Sequence, residues 1–380
     1  HNESFVTSSK IDILKIRGSL GYTGKVNFSP FQAMTMYQFS GDLEYLNGIG
    51  AVPQGIGNED LGWERELSYN LGTDISLFNR RLNFTFDIYL KKTTDLVLDA
   101  SRAPSTGTTS AKENIGEMEN KGLEFQVDGM LVQRNDFYWQ VAATGSMNRN
   151  RILKINSALK KANEDANKVD SKTPLAQYEE GESTTALKVV KSAGIDPATG
   201  QEVFIKLNGE RTFEYSADDK FVIGDTEPRF RGTVSTNLFY KGFSLYLLGR
   251  YECGAYLYNE TRATKVEGAN PKKNADKRVF DSRWKNPGDI AFYKDIADSD
   301  GWGTNPKHSD RFVEKENVFT LGTVNFGYEF GQNICSKIGV RNLRVGVNLT
   351  DIVRWSNVKI ERGTTYLYSN GFEFTLSTTF

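Results

Sequence analysis

The 380-residue chain has only two cysteines and two histidines, and no apolar run near the ~18 residues that a membrane-spanning helix requires. Two thiols cannot build a disulfide framework or a zinc cluster. His1 and His308 argue against any mechanism that needs neighbouring histidines. No charge is in excess: 47 Lys+Arg face 48 Asp+Glu, so no basic surplus is available to neutralise a nucleic-acid backbone. No P-loop, G-x-S-x-G or H-E-x-x-H string occurs. What the chain does have is 35 Gly, 24 Phe and 17 Tyr, far too much aromatic residue for a disordered polymer. That balance points to β structure.

Strict alternation of apolar and polar residues is the dominant pattern, the mark of a strand with two unlike faces. Leu14, Ile16, Leu20 and Tyr22 alternate with Lys15, Arg17 and Ser19. Further alternating segments centre on Leu71, Phe86, Phe125, Val141, Val234, Leu247, Val324, Val347 and Phe374, so ten amphipathic strands are predicted. Tight connections are expected at Asn79-Arg80, Arg134–Asp136 and Lys241-Gly242, and a longer one around 331–341. Polar segments at about 24–65, 92–120, 149–228, 252–316 and 351–370 separate these hairpins.

Alternation by itself also fits a soluble sandwich or propeller with one buried face. Short and long connections that alternate along the chain fit an outer-membrane barrel instead, with short periplasmic turns and long extracellular loops. Aromatics at strand ends (Tyr22, Phe78, Phe137, Tyr240, Phe243, Phe330) suit an interfacial girdle, and the longest connections exceed what compact domains use. The predicted fold is therefore all-β, a transmembrane antiparallel β-barrel, with the turns at 79, 135, 241 and 335 on the periplasmic side. Lys15, Arg17, Asp74, Asp87, Glu124, Arg231, Arg250 and Arg344 then line a wet lumen. Cys253 is expected outside, beyond its strand, and Cys335 in a periplasmic turn, too far apart to bridge.

Several stretches resemble the C-terminal part of the SusC/RagA family of TonB-dependent outer-membrane transporters. Leu14-Lys-Ile-Arg-Gly-Ser-Leu-Gly-Tyr-Thr-Gly24 is similar to a family strand, with Lys25 where Asn is usual. Trp63-Glu64 before Tyr69-Asn-Leu-Gly72, and Tyr89–Leu96, match in order. The most specific match is Asn114-Ile-Gly116-Glu-Met-Glu-Asn120-Lys121-Gly122-Leu-Glu124, close to a family signature. Ala193–Gly200, Ile223–Pro228 and Asp310–Glu314 follow, so the resemblance covers about 14–380.

The resemblance implies about ten strands of a 22-stranded barrel around an N-terminal plug, with residues 1–380 the C-terminal part of that barrel domain. It implies import of an oligomeric nutrient, glycan or peptide, in a Gram-negative outer membrane of the Bacteroidota type. The partners implied are a SusD-like surface lipoprotein, the TonB complex reached through a region N-terminal to His1, and outer-membrane lipid, but no nucleic acid. No cofactor and no enzyme activity are expected. The alternative is a self-contained ten-stranded barrel acting as a passive pore or rim enzyme, with His308 and Asp310 as its acid–base pair.

Among binding residues, Trp284, Tyr293 and Trp302 in the 252–316 loop are ligand-contact candidates, because such rings stack on sugars or peptides. The plain reading is that they pack that loop. Asp298 and Asp300 offer alternate hard oxygens for calcium but lack the spaced glutamate of a full site. Phe372, Phe374 and the terminal Phe380 resemble the signal read by barrel-assembly machinery; the plain reading is that they face lipid.

Overall fold

A computed structural model describes residues 10–45, 48–101, 110–155, 157–169, 171–270, 272, 274–297, 306–359 and 369–379. The first strand, β1 (Ile11–Lys25), is followed by a hairpin of β2 (Met36–Tyr45) and β3 (Gly48–Gly55). Next come β4 (Glu64–Leu77), β5 (Leu82–Ser101), β6 (Ser110–Arg134) and β7 (Phe137–Ile155). Helix α1 (Ser157–Lys168) leads into β8 (Ala186–Ile195), β9 (Glu202–Ile205), β10 (Arg211–Thr212) and β11 (Lys220–Asp225). The chain then returns through β12 (Phe230–Tyr240), β13 (Phe243–Tyr258), β14 (Val313–Glu329), β15 (Asn342–Ser356) and β16 (Gly371–Thr379).

Ten of these strands form one antiparallel sheet in the order β1-β4-β5-β6-β7-β12-β13-β14-β15-β16. They are the ten strands that the alternation predicts. The described residues pair β1 only with β4 and β16 only with β15, so the sheet is an open arc of a barrel. The self-contained ten-stranded barrel weighed above is therefore not the fold. Ten strands cannot close unless the first and last exchange backbone hydrogen bonds.

The ladder shows why the two faces differ. Arg17, Gly72, Asp87, Glu124, Ser146, Arg231 and Glu252 stand side by side across neighbouring strands. One residue away, Ile16, Thr73, Phe86, Phe125, Gly145, Gly232, Tyr251, Phe319 and Trp355 form the next row, facing the other way. The second face is apolar yet open: Ile16 is 73% exposed and Phe372 70%. In water such a belt is a large liability. Against hydrocarbon it is what a membrane strand requires. No described helix is long and apolar enough to cross a membrane; strands make the crossing.

The turns at one end are short for identifiable reasons. Phe78, Asn79 and Arg80 take three successive left-handed conformations between β4 and β5. Lys241 and Gly242, with φ of 46° and 89°, make the two-residue turn between β12 and β13, whose twist suits a hairpin. Between β14 and β15 a four-residue helical turn, Gln332–Cys335, runs into a 3₁₀ turn that Gly339 ends at φ 77°. Aromatics gather here, with Phe243 and Tyr328 rings 4.5 Å apart and Phe137 edge-on to Tyr240 at 5.9 Å. At the opposite end Tyr22 and Trp63 are exposed, and Phe319 lies 5.7 Å from Trp355.

Three sequence expectations need correction. Residues 92–101 and 110–120 are not loop: β5 and β6 continue as a paired hairpin from Ser101↔Ser110 down to Thr93↔Met118. Above the membrane a ladder needs only backbone pairing, so apolar alternation stops while the strands do not. Residues 149–228 hold a helix and the sheet β10-β9-β8-β11, whose core strand β8 has Leu187, Val189 and Val190 buried. That run is covered on both faces and so does not alternate. Cys253 lies within β13, opposite Phe230 and Asn317, because that strand runs on to Tyr258. Cys253 and Cys335 are both free thiols.

Candidate functional site: a charged inner face under a welded cap

The inner face is organised by ion pairs between neighbouring strands. Arg17 of β1 donates from Nε to Asp74 Oδ2 and from Nη2 to Asp87 Oδ2, both at 3.0 Å, tying three strands. Gly72 leaves the room: a Cβ there would sit 2.2 Å from Asp87 Oδ1. Further round, Arg250 reaches Asp351 at 3.3 Å, and Arg344 donates to Ser244 Oγ at 3.2 Å. The lumen-lining residues predicted from alternation thus share one face.

The signature residues do structural work at the top of this wall. Asn114 Nδ2 donates to Gly62 O at 2.9 Å and Asp95 O at 2.7 Å, while its Oδ1 accepts from Gly62 N at 2.7 Å. Glu64, buried beside it, accepts from Val97 N and from Asn27 Nδ2. Asn148 Nδ2 donates to Asn120 Oδ1, and Tyr89 Oη donates to Asn148 Oδ1 at 3.1 Å. Gly122 must be glycine because a Cβ would meet Met147 O at 2.3 Å and Tyr89 Oη at 2.6 Å. Gly116 lies close under Lys154 O, Lys121 pairs with Glu119 at 3.8 Å, and Glu124 joins the inner charged row.

Above the barrel, two long connections are locked together by Arg311, next to the start of β14. Its guanidinium donates to both oxygens of Glu202 (2.7 and 2.6 Å) and both of Glu267 (2.8 Å each). All three side chains are below 8% exposed. Burial works against the charge on Arg311, but the two carboxylates outweigh it and hold the guanidinium ionised well above its ordinary range. Arg283 is also buried, and burial lowers its pKa; it donates to Val279, Lys294, Val266 and Glu267 carbonyls. Arg262 stacks 4.4 Å from the Phe292 centroid and pairs with Glu314 at 2.9 Å.

Two of the aromatic candidates belong to this packing. Trp284 is 8% exposed; its Nε1 donates to Pro197 O, and its ring covers Gly200, where a Cβ would come within 2.6 Å. Tyr293, 5% exposed, accepts at Oη from Arg262 Nε. Both rings are thus held within the packing of the loop, and Tyr293 also lines a cavity with Arg262, Phe292 and Glu314. The Ala193–Gly200 stretch takes part in the same contact, with a turn closed by Asp196 and Thr199 that lays Pro197 and Gly200 against Trp284. His308 and Asp310 are not a rim pair. The His308 Nε2 is 3.0 Å from Ser171 O, and Asp310 Oδ1 accepts from Ser192 N at 2.9 Å. Burial raises the Asp310 pKa.

Phe372 and Phe374 lie on the apolar face of β16 and are highly exposed. Trp302, Asp298, Asp300 and Phe380 fall outside the described residues. Among the described residues no cluster of His, Cys, Asp or Glu could hold a metal ion. Glu202, Glu267 and Arg283 were not singled out by sequence reasoning, and Arg311 entered only as part of the Asp310–Glu314 stretch. Their partners are up to 109 residues away, and no local spacing signals such a bond.

This geometry defines an outer-membrane β-barrel segment with a structured extracellular cap. A family model, TonB dependent receptor-like beta-barrel, matches residues 11–178. TonB-dependent receptor P39 of Formosa agariphila is 25% identical over 93% of this chain and 38% of its own length. TonB-dependent receptor P3 of the same organism is 27% identical over 93% and 36%. SusC of Bacteroides thetaiotaomicron is 31% identical over 37% of this chain and 15% of its own. A structure of the RagAB peptide transporter superposes with TM-score 0.79 at 21% identity, over 94% of this chain and 39% of that one. Residues 11–178 thus carry a TonB dependent receptor-like β-barrel, and the chain is similar over most of its length to TonB-dependent receptors, which makes it an outer-membrane protein. It spans less than two-fifths of the length of the Formosa relatives that it matches.

Proposed function

We propose that residues 1–380 are the C-terminal part of the barrel of a TonB-dependent importer whose plug and remaining strands belong to the rest of the protein. The complete receptor takes an oligomeric nutrient, peptide or glycan, through the barrel once force from the TonB complex displaces the plug. A SusD-like surface lipoprotein lids the cap. The observation that carries this reading is the pairing of a continuous charged inner face with a cap rigidly welded above it: a wet conduit beneath a shaped extracellular rim. The likeness to a peptide transporter supports a peptide as cargo, and a glycan is the second class that the family resemblance implies.

The test is uptake of a labelled peptide or glycan mixture by cells carrying the complete receptor. Uptake is expected to disappear when the receptor gene or TonB is deleted and to fall when the neighbouring lipoprotein is removed. Uptake that survives loss of TonB would sink the proposal and point to passive flux.

The C-terminal strand yields a separate expectation. Deleting Phe380, behind exposed Phe372 and Phe374, should lower the amount of heat-modifiable, protease-resistant receptor in the outer membrane. Phe380→Trp should restore it. Undiminished assembled barrel after the deletion would leave these rings a purely lipid-facing role.

A further inference from the structure

The outward face of the sheet turns from apolar to cationic where its belt ends on the extracellular side. Leu20, Tyr69, Leu90, Lys121 and Arg149 stand side by side across β1, β4, β5, β6 and β7. Each is four residues beyond Ile16, Thr73, Phe86, Phe125 or Gly145 on its own strand, so the row shares their face and looks away from the lumen. The next row on that face reads Tyr22, Leu67, Lys92, Glu119 and Arg151. To either side the belt ends in aromatic rings instead: Tyr22 is exposed on β1, and Phe230 and Tyr251 of β12 and β13 have centroids 5.3 Å apart.

These cations have some counter-charge, but it is loose or turned elsewhere. Lys92 pairs with Glu117 at 3.1 Å, and Lys121 lies 3.8 Å from Glu119. Both lysines are exposed, and such pairs exchange readily for another anion. Arg151 Nε donates to Gly181 O at 3.2 Å, which holds it towards the cap. Arg149 is exposed and makes no ion pair or hydrogen bond among the described residues. Lys121 and Arg149 are also direct partners in the β6–β7 ladder, and like charges placed opposite each other repel. An anion between them removes that repulsion.

Beside this charged row the same face carries a groove of about 560 Å³ over β1, β4 and β5. Leu20, Tyr69, Leu71, Ile88 and Leu90 line it, all of them exposed, and Gly18 forms its floor, where no atom lies within 4 Å of a Cβ position. Leu90 is the ladder neighbour of Lys121, so the groove wall and the cation pair are within two strand spacings, about 10 Å.

We propose that this face seats a phosphorylated glycolipid of the outer leaflet, with an acyl chain in the Gly18 groove and a phosphate between Lys121 and Arg149. A groove alone takes any acyl chain, and a cation pair alone takes any anion. An acylated, phosphorylated headgroup at the membrane surface satisfies both. The Arg149 guanidinium offers a planar fork to phosphate oxygens, and the Lys121 ammonium adds a point charge. The inference rests on the outer-membrane placement of the barrel and not on import, so uptake that survives loss of TonB leaves it standing.

The test is native mass spectrometry of the complete, delipidated receptor titrated with diphosphorylated lipid A and, separately, with the same lipid after enzymatic dephosphorylation. Lipid A is expected to stay bound, and the dephosphorylated lipid to bind about tenfold more weakly or worse. Arg149→Gln combined with Lys121→Gln should weaken lipid A to a similar degree while heat-modifiable mobility stays that of the folded barrel. Arg149→Lys with Lys121→Arg, which keeps both charges, should retain the lipid. Lys241→Gln, which removes an exposed cation at a periplasmic turn, should leave binding unchanged. Equal binding of the dephosphorylated lipid, or undiminished binding in the double Gln variant, overturns the proposal. A lipid-free dimer that the double Gln variant splits gives this face to a second copy and overturns it equally.

Discussion

Arg311→Met is expected to loosen the extracellular cap while leaving the barrel intact. Glu202 and Glu267 are each below 8% exposed and share this one guanidinium. Removing it leaves two carboxylates buried side by side, and breaking a buried charge pair in this way costs about 3–5 kcal/mol. The loss should appear where the cross-link acts. Hydrogen exchange and tryptic cleavage in 186–225 and 259–297 should rise steeply in the complete receptor. Heat-modifiable mobility, a property of the barrel, should stay as it is. Replacing all three charges (Arg311→Met, Glu202→Gln, Glu267→Leu) should recover much of the protection, because an apolar or neutral set no longer carries an uncompensated charge. Unchanged exchange in the single variant would mean that the cap is held by its hydrophobic contacts, with Phe312 and Val266 as the leading ones.

Gly232→Val should act at the other level, on assembly of the barrel itself. A Cβ at Gly232 would lie 2.0 Å from Thr144 O and 2.6 Å from Tyr251 Oη. The oxygen belongs to the backbone of β7 and cannot step aside. Tyr251 Oη donates to that same oxygen at 2.7 Å, so its ring is pinned across the glycine. Overpacking usually costs about 1–3 kcal/mol and more where backbone must shift. Here the shift breaks the pairing of β7 with β12, between the fifth and sixth strands of the sheet. Folded receptor in the outer membrane should fall at least severalfold. Gly18→Val supplies the contrast, since nothing lies within 4 Å of a Cβ there. If both variants assemble equally well, the close contact at Gly232 is not limiting.

The two experiments separate two kinds of stability. The sheet is held by a ladder that runs through every strand, and its apolar face is completed by lipid rather than by protein. The cap has its own small cores, Ile152 with Ile155 and Leu159 in one, Ala263 with Val266, Tyr293 and Phe312 in another. Buried ion pairs join the second of these to the sheet β10-β9-β8-β11. Cap variants are therefore expected to leave insertion of the barrel unaffected.

The alternation of Leu14, Ile16, Leu20 and Tyr22 with Lys15, Arg17 and Ser19 was enough to place β1 and to tell its faces apart. The same held for the other nine strands, because a strand between lipid and a wet lumen must write its environment into every second residue. The tight turns were legible for a similar reason: Lys241-Gly242 has few conformations open to it. The family signature was legible as a string, but not for what it does. Only the folded chain shows Asn114 bonding to Gly62 and Asp95, and the Tyr89 ring occupying the place of a Gly122 side chain.

The cap lies beyond that reach. Leu187, Val189 and Val190 are covered on both faces, so β8 carries no alternation to read. Trp284 looked available for a ligand because the sequence cannot say that Pro197 and Gly200 close over it. Arg311 finds Glu202 across 109 residues. By itself the sequence determined the ten strands of the barrel sheet, their two faces and the side on which each tight turn lies, all consequences of local periodicity. The tertiary structure alone decided which loops fold and which charges are buried together, because these depend on contacts between distant segments that no local pattern encodes.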